Sequence, residues 1–215
     1  IYALKTLGVE RIVSVSAVGS LRDHIRPLDM LIPDQIIDRT RNRTSTFFGN
    51  GIIAHIAFSD PFCPEISSVL AGAARKQATT HVGGTCVVIE GPQFSTRAES
   101  ELYRSFGADI IGMTALPEAK LAREAEMCYT TMAWVTDYDC WRQGAETVTV
   151  EMVIQNLLKN VATSKDLLRS VVPKLDAPRD CPCNSALKDA IITSKEGVSE
   201  EVKHKLALLV GRYLD

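Results

Sequence analysis

Asp137 and Asp139 stand one residue apart, directly after the apolar run Tyr129–Thr136. Two carboxylates at the end of a buried strand can divide the work of a site. One can hold a proton and act as a general acid, and the other can accept hydrogen bonds from a ligand. A plain structural role, capping the next segment, also fits this spacing. Ser16-Ala17-Val18-Gly19-Ser20-Leu21 follows another apolar run. Small residues there allow close backbone approach, so N–H groups and the Ser16 hydroxyl could bind an anion, although an ordinary turn reads the same way. Phe94, in Glu90-Gly91-Pro92-Gln93-Phe94-Ser95, could stack on a planar ligand or pack in the core. Arg39, Arg41 and Arg43 alternate in a polar, Thr-rich stretch that reads as a solvated loop rather than a phosphate site. His55 after Ile52-Ile53-Ala54 reads as a structural histidine. Cys181-Pro182-Cys183 offers two thiols, where a tetrahedral metal site needs four ligands, so two free thiols and no metal are expected.

The elements that must position these residues follow from periodicity. Arg11–Ala17, Asp29–Ile37, Thr85–Glu90, Asp109–Gly112 and Tyr129–Thr136 read as strands, with Pro33 implying an edge or a bend. Asp60–Gln77 holds a turn and a helix whose Ile66, Val69, Leu70 and Ala73 face the core. Arg97–Phe106 reads as a helix capped by Thr96 with Glu99 three residues on. Pro117–Ala125 reads as a helix between two strands, a strand–helix–strand unit that predicts those strands parallel. A long amphipathic helix is expected over Val150–Arg169, with Val153, Ile154, Leu157, Leu158, Val161, Leu167 and Leu168 inward. Ala186–Ile192 and Ser199–Val210 read as closing helices. This order predicts an α/β fold, a three-layer α/β/α sandwich around a mixed, mostly parallel sheet, in one domain over residues 1–215.

The 215 residues are 46% hydrophobic and carry a net charge of −2 without a basic stripe, which argues against nucleic acid or an anionic membrane as partner. No apolar run approaches the ~18 residues that span a bilayer, and no signal peptide is evident. The six scattered cysteines suit a reducing, cytoplasmic setting. The chain opens without Met inside a short helix stopped by Gly8, which implies an upstream segment. The glycine-rich dinucleotide and P-loop fingerprints and the G-x-S-x-G elbow are missing, which weakens dehydrogenase, NTPase and α/β-hydrolase readings.

Four segments in order closely resemble the purine nucleoside phosphorylase superfamily, and its 5′-methylthioadenosine phosphorylase branch most of all. They are Ser16–Leu21, Glu90–Ser95, Gly112-Met113-Thr114-Ala115-Leu116-Pro117-Glu118, and Thr136-Asp137-Tyr138-Asp139-Cys140-Trp141. The resemblance runs from Ile1 to about Arg169, and the tail around Cys181–Lys188 is similar to microbial or fungal members. It implies phosphorolysis of S-methyl-5′-thioadenosine to adenine and 5-methylthioribose 1-phosphate, with inorganic phosphate as co-substrate and neither cofactor nor metal. Adenosine or another purine nucleoside is the alternative substrate, and a catalytically dead purine-binding chain the alternative from another class.

The resemblance also implies roles. Ser16, Ala17 and Thr114 would hold phosphate, and Met113 would lie under the ribose. Phe94 would stack on the base beside Ser95. Asp137, the catalytic acid, would meet N7 of adenine, with Asp139 at the exocyclic amine and Tyr138 between them. His55 would reach a neighbouring subunit's site in a homotrimer. Val148, Val150 and Val153 would form a methylthio pocket. Relatives preferring 6-oxopurines place Asn where Asp137 stands. Gly112 stands where many relatives carry Asn, and Ser16 where many carry Thr. The family's Gly-rich phosphate loop and Arg-His-Gly motif would precede a segment like Ile1–Gly8, so this piece alone is expected to have little activity. The location implied is cytoplasmic, with the nucleus as a second site.

Overall fold

A computed structural model describes residues 1–142 and 150–214. After α1 (Tyr2–Thr6) the chain forms β1 (Arg11–Ser20), β2 (Met30–Ile32), β3 (Gln35–Arg39), α2 (Pro64–Ala74), β4 (Thr80–Val82), β5 (Thr85–Ile89), α3 (Arg97–Ser105), β6 (Ile110–Gly112), α4 (Ala115–Glu124), β7 (Cys128–Asp137), α5 (Val150–Val171) and α6 (Glu200–Leu214). Seven strands make one sheet in the order β3-β5-β6-β1-β7-β2-β4. The β3–β5, β5–β6, β1–β7 and β2–β4 pairs are parallel, whereas β6–β1 and β7–β2 are antiparallel. The sheet is therefore mixed and mostly parallel, as the sequence implies.

Every residue of β7 is buried, because helices cover both of its faces. Met132 and Trp134 pack with Met30 and Ile32 against Leu70 of α2 and Leu167 of α5. Ala133 and Val135 point the other way, into a larger cluster with Ala119 and Ala122 of α4 and Leu206 and Val210 of α6. This period-two alternation builds the three layers. Thr96 caps α3 through a reciprocal bond with Glu99, as the pattern predicts.

Several expectations are corrected. The strands flanking α4 are neither adjacent nor parallel. β1 lies between β6 and β7 and pairs antiparallel with one and parallel with the other. A short helix allows either hand of return, and the longer β1 wins the central place. The single strand expected over 29–37 is two strands, because Pro33 breaks the ladder, and the halves lie toward opposite edges of the sheet. β1 continues through Ser20, so Ser16 to Ser20 lie within a strand rather than in a turn beyond it. β4 has no counterpart in the sequence reading. No helix forms over Ala186–Ile192, where a 3-10 turn at Pro182–Ser185 and further turns run instead.

The largest correction concerns α5. Its buried face carries Asn160, Ser164, Leu167 and Val171, while Val150, Ile154, Leu157 and Leu158 are exposed. The polar face turns inward because β7 ends beneath it with carbonyls to satisfy. Asn156 Nδ2 donates to Thr136 O at 2.7 Å and Asn160 Nδ2 to Val135 O at 3.2 Å. Val135 O also accepts from Leu28 N–H at 2.9 Å, so the two amides each add a hydrogen bond of ~0.5–1.5 kcal/mol at the end of β7.

Candidate active site

A cavity of about 440 Å³ opens where β6 leaves β1. β6 pairs only with Gly19 and Ser20 of β1, then departs through Met113 and Thr114. Ser14 to Gly19 line the space beside it. The chain thus converges here from β1, from the ends of β5, β6 and β7, and from α5.

At the β7 end, the parallel ladder with β1 slips. Val18 pairs with Val135 but Gly19 pairs with Asp137, leaving Thr136 as an extra residue. Such a bulge re-aims the side chains beside it, and both Thr136 and Asp137 line the cavity. The Asp137 carboxylate is buried. Its Oδ1 accepts from Asp139 N–H at 2.8 Å and its Oδ2 from the Thr136 hydroxyl at 2.7 Å. Burial raises the pKa of Asp137 above the ordinary carboxylate value, against these two hydrogen bonds, which favour the charged form. Burial also raises Asp139, and the nearby Asp137 charge adds to that shift. Like-charge repulsion thus acts on Asp139, whereas desolvation prepares Asp137 to hold a proton.

Asp139 stands in the left-handed region at φ 51°, and its Oδ2 is buried without a hydrogen-bond partner. Ser95 Oγ is buried and unpartnered as well. Both residues line the cavity. A buried acceptor without a donor is costly unless a ligand supplies one. Gly19 makes the close approach of this loop feasible: a Cβ there would sit 3.0 Å from Ile111 Cγ2, 3.1 Å from Asp137 Oδ1 and 3.4 Å from Asp139 Cβ. Trp141 fastens the far end of the loop by donating from Nε1 to Ser20 O at 2.8 Å, with the Arg104 guanidinium over its ring at 3.5 Å.

Toward the middle of β1, the hydroxyls of Ser16 and Thr114 meet at 2.8 Å. They come from residues 98 apart in sequence and form a hydrogen-bonded hydroxyl pair on one wall. Met113 lies beside them, and Gly91, at φ 67°, lets the backbone pass behind it, where any Cβ would be 2.5 Å from Met113 Sδ. Phe94, 60% exposed, lines the same space.

Arg43 braces this wall from behind. Its guanidinium donates to Met113 O at 2.8 Å, Leu116 O at 2.6 Å and Glu90 O at 2.7 Å, and pairs with the Glu90 carboxylate at 3.0 Å. Neither a solvated loop residue nor a phosphate ligand, it ties together the segments that follow β5 and β6.

The cavity therefore gathers Ser16, Ala17, Phe94, Ser95, Met113 and Thr114, together with Asp137, Asp139 and Val153. It does not gather the rest. Tyr138 turns away: its ring lies edge-on to Trp141 at 6.1 Å, under the Arg142 guanidinium at 4.2 Å. Val150 is exposed at the start of α5, and Val148 lies outside the described residues. His55 borders a separate hollow with Arg123, Pro182 and Asp189. Glu118 and Thr136 also line the cavity, although the sequence gives them no role within their motifs. Glu118 accepts from the Tyr129 hydroxyl at 2.7 Å, and the bulge that exposes Thr136 leaves no local mark in the sequence.

A family model of the phosphorylase superfamily matches residues 1–173. The chain belongs to the phosphorylase superfamily. It is 54% identical to the S-methyl-5′-thioadenosine phosphorylase of Geobacter sulfurreducens, over all of this chain and 76% of that protein. It is 54% identical to the enzyme of the same name from Koribacter versatilis, over 99% of this chain and 73% of that one. Among solved structures, a methylthioadenosine phosphorylase from an Antarctic soil metagenomic library superposes with a TM-score of 0.91. It is 50% identical and covers 97% of this chain and 74% of its own. The methylthioadenosine phosphorylase of Schistosoma mansoni, solved with adenine, gives a TM-score of 0.81 at 34% identity, over 87% of this chain and 72% of that one. The mixed seven-stranded sheet is thus a phosphorylase-superfamily sheet. Among the described residues, no helix is long and apolar enough to cross a membrane.

Proposed function

We propose that the protein is a pentosyltransferase that catalyses phosphorolysis of S-methyl-5′-thioadenosine, giving adenine and 5-methylthioribose 1-phosphate. The observation that carries this reading is one cavity holding, at one end, the buried Asp137 carboxylate and the buried, unpartnered Oδ2 of Asp139, with a hydroxyl pair on its wall. The names of its relatives, at 54% identity over essentially the whole chain, support it.

A phosphate oxygen attacks C1′ while the C1′–N9 bond breaks and its electron pair leaves with the base. Ser16 and Thr114 hydroxyls and the Ala17 N–H hold the phosphate. Met113 lies under the ribose and Phe94 against the base, with Ser95 beside it. Asp137 carries the proton that N7 takes up as charge develops, a general-acid contribution of ~10²–10⁴-fold. Burial raises the Asp137 pKa above the ordinary carboxylate value, which favours the protonated form. Asp139 accepts from the exocyclic amine through its unpartnered Oδ2, which leaves a 6-oxo base facing an acceptor without a donor and so disfavoured. Val153 shapes the space for the thiomethyl group. Phosphate is the co-substrate, and the steps need no cofactor or metal.

The same reading takes residues 1–215 as one nucleoside phosphorylase-like domain in a cytoplasmic homotrimer. The exposed stripe of Val150, Ile154 and Leu158 beside the cavity supports a covering by a second copy, with His55 reaching the neighbour's site.

A second substrate, adenosine, is favoured by one observation: a Schistosoma mansoni relative at 34% identity is named adenosine/methylthioadenosine phosphorylase. Phosphorolysis with both nucleosides in competition separates the two. Preferential release of adenine from the methylthio substrate supports the proposal. Equal or greater use of adenosine moves the assignment to the second substrate, and adenine binding without turnover of either removes the enzymatic reading.

A further inference from the structure

The four cysteines Cys63, Cys128, Cys181 and Cys183 are far apart in sequence yet meet in the fold. All four are buried, and their sulfurs lie within 4.8 Å of one another. The Cys128 and Cys181 sulfurs are 3.3 Å apart. Cys181 and Cys183 are free thiols, as expected, but the pair is not isolated: two further cysteines reach it from distant elements. Cys63 is the N-cap of α2 and Cys128 opens β7. Cys181 and Cys183 flank Pro182 at the 3-10 turn.

We propose that these four cysteines form a tetrathiolate site for a single zinc ion, which clasps the C-terminal segment to the sheet. Tetrahedral zinc–thiolate bonds of ~2.3 Å place the sulfurs about 3.8 Å apart, and the observed spread straddles that value with the site needing only a small contraction. A single ion fits this spacing, whereas an iron–sulfur cluster would need the cysteines set wider around its several atoms.

The backbone already holds the donors in place. Cys63 N–H donates to Tyr129 O at 2.8 Å and Cys128 N–H to Glu10 O at 2.9 Å. Asp180 N–H donates to the Glu65 carboxylate at 3.1 Å, and Arg179 to Glu126 O at 2.9 Å, which anchors the chain just before the Cys-x-Cys. Four thiolates around Zn²⁺ leave net negative charge, and cationic groups border the cluster. The buried Arg123 guanidinium acts electrostatically on Cys183. Arg11 is the register partner of Cys128, and its buried Nε has no hydrogen-bond partner. Zinc binding would exchange the thiol protons for four metal–sulfur bonds.

The site is remote from the cavity. Cys128 and Asp137 mark opposite ends of β7, about 30 Å apart at ~3.3 Å per residue. Its role is accordingly structural.

The test uses the reduced, anaerobically purified protein. Metal analysis should find one zinc per chain. After chelation, cobalt(II) titration should saturate at one equivalent with the intense thiolate charge-transfer and d–d absorption of tetrahedral cobalt, reversed by zinc. Cys63→Ser and Cys181→Ser should lose that spectrum, and Cys140→Ser, outside the cluster, should keep it. Wild-type protein that takes up no cobalt overturns the proposal. So does an intact mass of the protein as isolated, before any reductant, that is lighter by two hydrogens per bridge, with these four cysteines in disulfide-linked peptides. The wild-type titration stands even if a serine variant fails to fold.

Discussion

Gly19→Ala tests whether the close approach of β1 to the two aspartates matters. The added methyl would meet Ile111 Cγ2 at 3.0 Å and Asp137 Oδ1 at 3.1 Å. Ordinary contacts of a Cβ begin near 3.4 Å, so Asp137 and Ile111 must each withdraw by a few tenths of an ångström. Asp137 has little freedom to do so, because Thr136 and Asp139 N–H hold its two oxygens. Overpacking of this kind costs ~1–3 kcal/mol. In a domain of this size each kcal/mol lowers Tm by ~2–4 °C, so a fall of roughly 2–12 °C is expected from the same two figures. The displaced acid should also lose alignment with the base, and a ~1 Å misplacement can cost ~10²-fold in rate. A shift of a third of that predicts about a fivefold loss in kcat/KM. The control is Gly72→Ala in α2, where a methyl meets nothing within 4 Å. It should stabilise by ~0.4–1 kcal/mol and leave kcat/KM unchanged. Steady-state phosphorolysis and thermal melts of both variants provide the readout. A Gly19→Ala enzyme with wild-type kcat/KM would refute the argument that this glycine admits the catalytic pair.

Phe94→Ala should weaken adenine binding by ~1–3 kcal/mol, the usual worth of an aromatic–base stack. It should barely move Tm, since the ring is 60% exposed; calorimetric titration and a melt decide both. Asp137→Asn should raise stability at neutral pH. The native carboxyl has a raised pKa, so the native state binds more protons than the unfolded chain and loses stability as pH climbs between the two values. The gain from Asn should therefore fade as pH falls through the native pKa and vanish below the ordinary carboxylate pKa, as denaturant titrations across pH would reveal. Asn160→Ala removes one of two donors to Val135 O, which keeps Leu28 N–H at 2.9 Å, and should cost only ~0.5–1.5 kcal/mol, the net worth of one hydrogen bond, in the same titrations.

The sequence exposes the site better than the scaffold. Asp137, Asp139, Ser16 and Thr114 were legible because each follows or ends a short apolar run, and small polar residues in such places carry little packing duty. The capping box at Thr96 and Glu99 is equally local and equally visible. What stays hidden depends on partners remote in sequence. The direction of β6 is set by β1, more than 90 residues earlier. The inward polar face of α5 follows from two carbonyls at the end of β7. Arg43 looks solvated until the segments after β5 and β6 fold over it. The bulge at Thr136, which orients Asp137, is a property of two strands in register, and neither strand announces it alone.

Substrate choice in Asp137→Asn enzyme tests the central claim most directly. The relevant measurement is kcat/KM for S-methyl-5′-thioadenosine against that for inosine. An acid at N7 predicts that turnover of the 6-amino substrate falls and the ratio shifts toward the 6-oxo substrate. An unchanged ratio would contradict the role given to Asp137.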